Sequence, residues 1–442
     1  MDENAWNMGL FHKMNELTSK YEIEYRNDGS LFNMDDGLAD RAFRAALDFL
    51  VETGVYCTST GRVLAFTQQE VDAAIREIPS KITVGEGRDA RVIKQRRIEE
   101  REAINQCPGH HAPWSEELAP LVVKNFAQIP SGDYLEGFNF AQVDGREVYG
   151  MPMEVYASRR EVAWLREGIR KAGRPGMAIA YYPINTRAPA LLAPIDRDCG
   201  LRPTDGILLS VLPDVKVEQD YLAAAMVYQE YGSFKVNGGG GGTVGGFAGD
   251  LGGAIIESIA KSIVGFLVYR DTICNTGVGT VRGTTAKTMS IDPGLVWAGS
   301  VVHQALHQNT DTICFGGGGG ASGPGTETHL LEQAIGAISA PVNGANLYIP
   351  RQSRAQMNAS QTPLEAEWMY EVASATMRTG LDRGSASDMI RRIGEKLEGR
   401  LREEPVPVEQ CYDLVHHRPL PDYERIYLKV KEELASLGLS FE

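Results

Sequence analysis

Several things are scarce in this sequence, and each scarcity closes a class of function. Six cysteines are scattered over 442 residues, with no C-x-x-C. That spacing supports neither a disulfide framework nor a zinc or redox motif. Basic residues are outnumbered: 44 Lys plus Arg stand against 58 Asp plus Glu, a net charge of −14. Such a balance disfavours binding to nucleic acid or to an anionic membrane. No run of about 18 apolar residues stands out, so no membrane-crossing helix is expected. The opening MDENAWNMGLFHKMNELTSK lacks the basic-then-apolar order of a secretory signal. A cytoplasmic protein with reduced thiols is the expectation. There is no G-x-S-x-G and no G-x-x-x-x-G-K-[ST], so nucleophilic hydrolysis and a P-loop have no support.

Glycine is the opposite case. It makes up 48 of the 442 residues, well above the roughly 7% of an average protein. Two runs of five, 238–242 and 316–320, are the most visible part of this excess.

Local patterns divide the chain. Leu38, Ala42, Phe43, Ala46, Leu47 and Leu50 recur at helical spacing before Gly54. Two β-type runs, 55–57 and 62–66, flank Gly61 and predict a hairpin. Thr67 and Glu70 form a capping box opening a helix. Residues 91–101 are strongly charged and read as a solvated connector. From about residue 130, strands and helices alternate at roughly 30-residue spacing, the mark of parallel strands. Strands are expected at 177–182, 207–212, 234–237, 278–282, 311–315 and 345–349. A second capping box, Ser158 with Glu161, is expected to open a helix ending at Gly173. The expectation is an α/β protein: a (β/α)8 TIM-type barrel at 129–442 with C-terminal helices, and an N-terminal α+β cap and connector at 1–128. Both glycine runs follow strands, so both should lie on the barrel's active face. They can be a phosphate cradle, a flexible loop, or bare backbone that a large ligand approaches.

Other candidates are weighed singly. His303 and His307 have metal-ligand spacing but precede a strand, which places them away from the active face; no metal site is expected. His110–His111 and His416–His417 read as surface pairs. Tyr181 ends a strand and Tyr228 lies near a helix end; either can face a cation or simply pack. Glu136 and Arg282 also fall at strand ends, and Arg282 can hold a carboxylate or an internal ion pair.

Several segments together resemble one family. GRPGM (173–177), VETGVYCTSTGRV (51–63), GEGRDA (85–90), GGFAG (245–249), GPGTE (323–327) and EQCYDLVHHRPLPDYERIYLKVKEELASLGLSF (409–441) are similar, in order, to segments of monomethylamine:corrinoid methyltransferases. The resemblance implies a (β/α)8 barrel, a homo-oligomer (a hexamer), and a separate corrinoid protein that supplies the cobalamin. No permanently bound cofactor is implied.

The departures from that family are informative. Its pyrrolysine position falls on Ala180. Two site glutamates fall on Leu208 and Gly239, and a glutamine falls on Gly317. In the family the pyrrolysine imine is thought to bind and orient methylamine, and Ala180 offers no such electrophile. The resemblance therefore implies a non-pyrrolysine member. Its expected reaction is methyl transfer from a quaternary amine or betaine larger than methylamine to a partner's Co(I) corrinoid. Ala180, Tyr181, Leu208, Tyr228, Gly239, Arg282 and Gly317 are the candidate substrate-binding residues. An alternative is a neutral N-methyl amide or heterocycle activated by an acid, with Glu136, Glu230 or Glu327 as the proton donor. A non-catalytic binding relative is the third reading.

Overall fold

Seven short segments with side chains alternating inward and outward build the centre of the molecule. The computed structural model describes residues 1–26, 29–109, 114–137, 140, 142–183, 187–238, 240–280, 292–350, 361–400 and 403–442. Strands β1 (Tyr134–Glu136), β2 (Ala178–Tyr181), β3 (Gly206–Leu208), β4 (Phe234–Asn237), β5 (Ile273–Asn275), β6 (Ile313–Gly316) and β7 (Asn346–Leu347) pair in parallel, in chain order. The pleat sends successive side chains to opposite faces. Tyr134, Ala178, Ala180, Leu208, Phe234 and Phe315 therefore pack inside. Leu135, Ile179, Tyr181, Ile207 and Cys274 pack outward under the helices. Tyr134 stands edge-on to Phe234 and Phe315 at 5.9 and 5.7 Å, so the interior is a filled core rather than a channel.

The eighth position is taken by an extended segment at 105–107. The Leu347 N–H donates to the Asn105 carbonyl at 2.9 Å, and the Cys107 N–H donates to the Leu347 carbonyl at 3.0 Å. On the other side, the Asp133 N–H donates to the Gln106 carbonyl at 2.9 Å. The segment thus bridges β7 to β1 and closes the expected (β/α)8 barrel. A boundary at residue 129 leaves this closing piece in the cap.

Five helices of the barrel wall matter for the site: α1 (Met151–Lys171), α2 (Gln219–Tyr231), α3 (Leu251–Val264), α4 (Pro293–Asn309) and α5 (Glu327–Val342). Helices Glu3–Lys20 and Asp36–Thr53 of the cap lie against α3, and Asp36–Thr53 also touches α4. The hairpin pairs Val55–Cys57 with Arg62–Leu64 as expected. Lys216–Val217 then joins it in parallel, with Tyr56 opposite Lys216, so cap and barrel share a sheet. The first capping box is present: Glu70 accepts from the Thr67 N–H at 2.8 Å, and Thr67 Oγ accepts from the Glu70 N–H at 3.3 Å.

Three expectations are corrected. Ser158 and Glu161 sit in the middle of α1, not at its start. The Ser158 hydroxyl donates to the Val155 carbonyl at 2.9 Å, and Glu161 is fully buried with neither oxygen hydrogen-bonded. The barrel strand expected at 278–282 is Ile273–Asn275 instead. Val278–Thr280 pairs with Gly242–Val244 in a separate two-stranded ribbon. Residues 91–101 are no solvated connector, because Arg91–Lys94 pairs with Lys81–Val84. Arg96 is buried there and donates to the carbonyls of Glu100, Glu102 and Ala103. One helical stretch, Leu251–Tyr269, has the length and mean hydropathy (1.7) to cross a membrane, but 83% of its most apolar window is buried inside the fold. Glu257 and Lys261 hide within it, satisfied by backbone at its flank.

Candidate functional site

The carboxyl ends of β1 and β2 set the first part of the site. Ala180 points into the barrel, between Glu136 on β1 and Gly206 on β3 in register. Its side chain is a single methyl group, fully buried in the inner cluster. Glu136 is buried beside it and accepts a hydrogen bond from the Tyr348 hydroxyl. Leu208 completes an apolar side: a Cβ at Gly238 would meet Leu208 Cδ2 at 2.6 Å.

Tyr348 also lines the second part, a cavity of about 360 Å3 on the β5–β7 side. That volume is at the lower end of small-molecule sites, roughly 300–1,000 Å3. Asn275 enters it from the end of β5, Thr276 follows, and His303 faces it from α4. His303 Nε2 lies 3.2 Å from the Thr276 carbonyl. Burial pushes the imidazole down to about 4, against the opposing pull of that carbonyl, so it is neutral at pH 7. Residues from both glycine runs line the cavity: Gly240 and Gly241 on one side, Gly316 to Gly319 on the other.

The glycines are there for close approach as much as for space. A Cβ on Gly241 would fall 1.4 Å from the Gly277 carbonyl oxygen, and one on Gly242 would fall 2.2 Å from the Ala254 carbonyl oxygen. The Gly242 N–H donates to Ser258 Oγ at 2.6 Å, and Lys261 Nζ donates to the Gly241 carbonyl at 3.2 Å. Helix α3 thus clamps the first run. In the second run, Gly317 adopts φ +83°, and its Cβ would meet the Gly336 carbonyl oxygen at 2.9 Å.

Several expected site residues are elsewhere. Tyr181 follows inward-facing Ala180, so the pleat turns it outward into the helix layer. Tyr228 is buried in that layer as well, its hydroxyl donating to the Leu191 carbonyl at 2.7 Å. Neither faces the barrel interior. Glu230 is exposed near the end of α2, at the barrel end that feeds strands in rather than out. Glu327 is the first residue of α5, after its cap Thr326, and pairs with Arg400 at 2.9 Å and Lys429 at 2.6 Å, which fastens the C-terminal helices. Gly239, Arg282, His110 and His111 lie outside the described residues. His303, expected away from the active face, instead forms cavity wall. His416 is exposed, whereas His417 is half-buried, with Nδ1 2.8 Å from Asn125 Oδ1. Among the described residues, no three His, Cys, Asp or Glu gather as metal ligands.

The family comparison covers cap, barrel and C-terminal helices alike. The family model described as monomethylamine methyltransferase MtmB matches residues 1–439. The chain belongs to this family. Monomethylamine methyltransferase MtmB2 of Methanosarcina acetivorans is 27% identical, covering 99% of this chain and 95% of that protein. Monomethylamine methyltransferase MtmB of Methanosarcina mazei is 26% identical with the same coverage. The crystal structure of Methanosarcina barkeri MtmB has a TM-score of 0.91 at 22% identity, covering 100% of this chain and 95% of that one.

Within this MtmB-family barrel, Tyr348, Asn275, Thr276 and Asn343 line the candidate cavity, and sequence patterns did not single them out. The signal for Tyr348 was available, because it lies one step past outward-facing Leu347. Asn275 was hidden by starting its strand five residues too late.

Proposed function

We propose that the chain moves a methyl group from a quaternary amine larger than methylamine to the Co(I) corrinoid carried by a separate protein. The observation that carries this reading is Ala180: a methyl side chain, inside the barrel beside Glu136, at the position where the family resemblance puts pyrrolysine. Free methylamine is a poor methyl donor, and alanine can form no bond to it. A quaternary ammonium needs no such activation. Co(I) supplies the electron pair for the new Co–C bond, the C–N bond breaks, and its pair stays on nitrogen as a neutral tertiary amine leaves. No proton is required.

What the chain supplies is binding and orientation. Glu136 is a buried carboxyl group beside Ala180, and its role in this reading is to pair with a permanent cation. The Tyr348 hydroxyl holds that carboxylate. The corrinoid, bound to its own protein, is the acceptor substrate.

The test is a panel of methylated amines with the Co(I) corrinoid protein, following methyl-Co(III) by absorbance. Quaternary amines should react and monomethylamine should not. Glu136→Gln should lower kcat/KM by about tenfold to hundredfold, the value of a hydrogen-bonded charge. Turnover of monomethylamine, or of no donor at all, would sink the reading. Turnover of only a neutral N-methyl amide would replace the cation with a proton-accepting donor.

A further inference from the structure

The cavity beside Tyr348 has a chemically uneven wall. Three of its buried polar atoms have no hydrogen-bond partner: the Asn275 amide nitrogen, the Thr276 hydroxyl and the Asn343 amide oxygen. These residues are only 7%, 8% and 5% exposed. Orphaned buried polar atoms are costly and rare in native folds, so three on one wall mark a space shaped for a polar ligand. None of the described lining residues carries a charge at pH 7, and His303 is neutral. A carboxylate has no O–H or N–H to give the Asn343 oxygen, and would leave that buried acceptor unpaired beside its own negative charge. Room is present too: no heavy atom lies within 4 Å of the Cβ position of Gly299 or of Gly277.

We infer that this cavity is the subsite for the non-reacting end of the methyl donor, and that this end is an uncharged hydrogen-bonding group, an alcohol or a carboxamide, rather than a carboxylate. The inference rests on the quaternary-amine reading. Asn275 donates to the ligand oxygen, Asn343 accepts from its O–H or N–H, and Thr276 does either. Tyr348 joins this subsite to the cation's place at Glu136. The donor is then a quaternary ammonium alcohol or amide, not a betaine.

Binding to the chain alone tests this without any corrinoid. Calorimetry with choline, glycine betaine and tetramethylammonium should show choline bound at least tenfold more tightly than glycine betaine. Asn275→Leu should weaken choline about tenfold and leave tetramethylammonium unchanged. Gly299→Leu extends a side chain into open cavity on a helix, where leucine is better tolerated than glycine. It should weaken choline and keep the wild-type melting temperature, which guards against a folding artefact at Asn275. Betaine binding as tightly as choline, or Asn275→Leu weakening all cations equally, would overturn the subsite. Choline that binds in this pattern but gives no methyl-Co(III) would overturn the proposed reaction and leave the subsite standing. Turnover of tetramethylammonium without choline binding would do the reverse.

Discussion

The two glycine runs look alike in sequence and do different work in the fold. Around 240–242, the missing side chains would strike backbone: the carbonyls of Gly277 and Ala254. Backbone held in a barrel wall cannot retreat. Around 316–320, two of the missing side chains would strike other side chains, His303 Cε1 at 2.8 Å from Gly316 and Glu332 Oε2 at 2.8 Å from Gly320. Those neighbours can rotate away, at the cost of the positions they now hold. Both runs line the cavity, but the first is chiefly a backbone packing joint, whereas the second, apart from Gly317, gives way to side chains. Glu332 reinforces the point by accepting the Ala321 and Ser322 N–H groups at 2.8 and 2.9 Å.

Substitutions break this comparison cleanly. Gly241→Ala should cause the largest loss, about 4 kcal/mol or outright failure to fold, because the new methyl overlaps a fixed carbonyl. Urea titration measures it, and a loss below about 1 kcal/mol would erase the distinction between the runs. Next comes His303, the side chain that Gly316 leaves room for. Its folded value near 4 lies below the ordinary 6.5, so the unfolded chain binds the proton first. Stability is fully present above pH 6.5 and falls as pH drops toward 4, by up to about 3 kcal/mol. His303→Gln should flatten that part of the stability–pH curve. Buried Glu161 slopes the opposite way: burial raises its carboxyl well above the usual range, so its stabilisation is lost as pH rises. An unchanged curve in His303→Gln would contradict the burial assigned to the ring.

Gly316→Ala should cost less, about 1–2 kcal/mol, but it should displace His303 and weaken ligands of the cavity more than it weakens the fold. Gly277→Ala is the smallest effect, within about 0.5 kcal/mol, since no atom lies within 4 Å of its Cβ position. Gly277 is the very residue whose carbonyl forbids a side chain at Gly241. Equal losses in Gly241→Ala and Gly277→Ala would show that the loop as a whole, rather than one contact, is the fragile element.

Much of this fold was legible because local rules agree with it. The helix start at Gln68 and the helix stop at Gly54 follow from caps, and β4 was read residue for residue from its run into glycine. What failed depended on tertiary choice. Val278–Thr280 is the more β-like run, yet Ile273–Asn275 took the barrel position, because only it lies in register between β4 and β6. The facing of Tyr181 needed the parity of β2, which nothing before Ala180 announces. His303 lies midway along α4, opposite Gly316 on β6, a neighbour thirteen residues beyond it that only folding brings round. The candidate site was therefore half visible: Ala180, Glu136, Leu208 and Gly317 were named, while the neutral wall was not.

Barrel closure by residues 105–107 has a consequence in time. The side chain of Asn346 receives the Asn105 N–H across 241 residues of sequence, and Leu347 completes the ladder. Contacts so distant along the chain form late and slowly. During synthesis, the seam between β7 and the 105–107 segment stays open until more than three quarters of the chain has emerged, leaving an unpaired strand edge for a chaperone to guard.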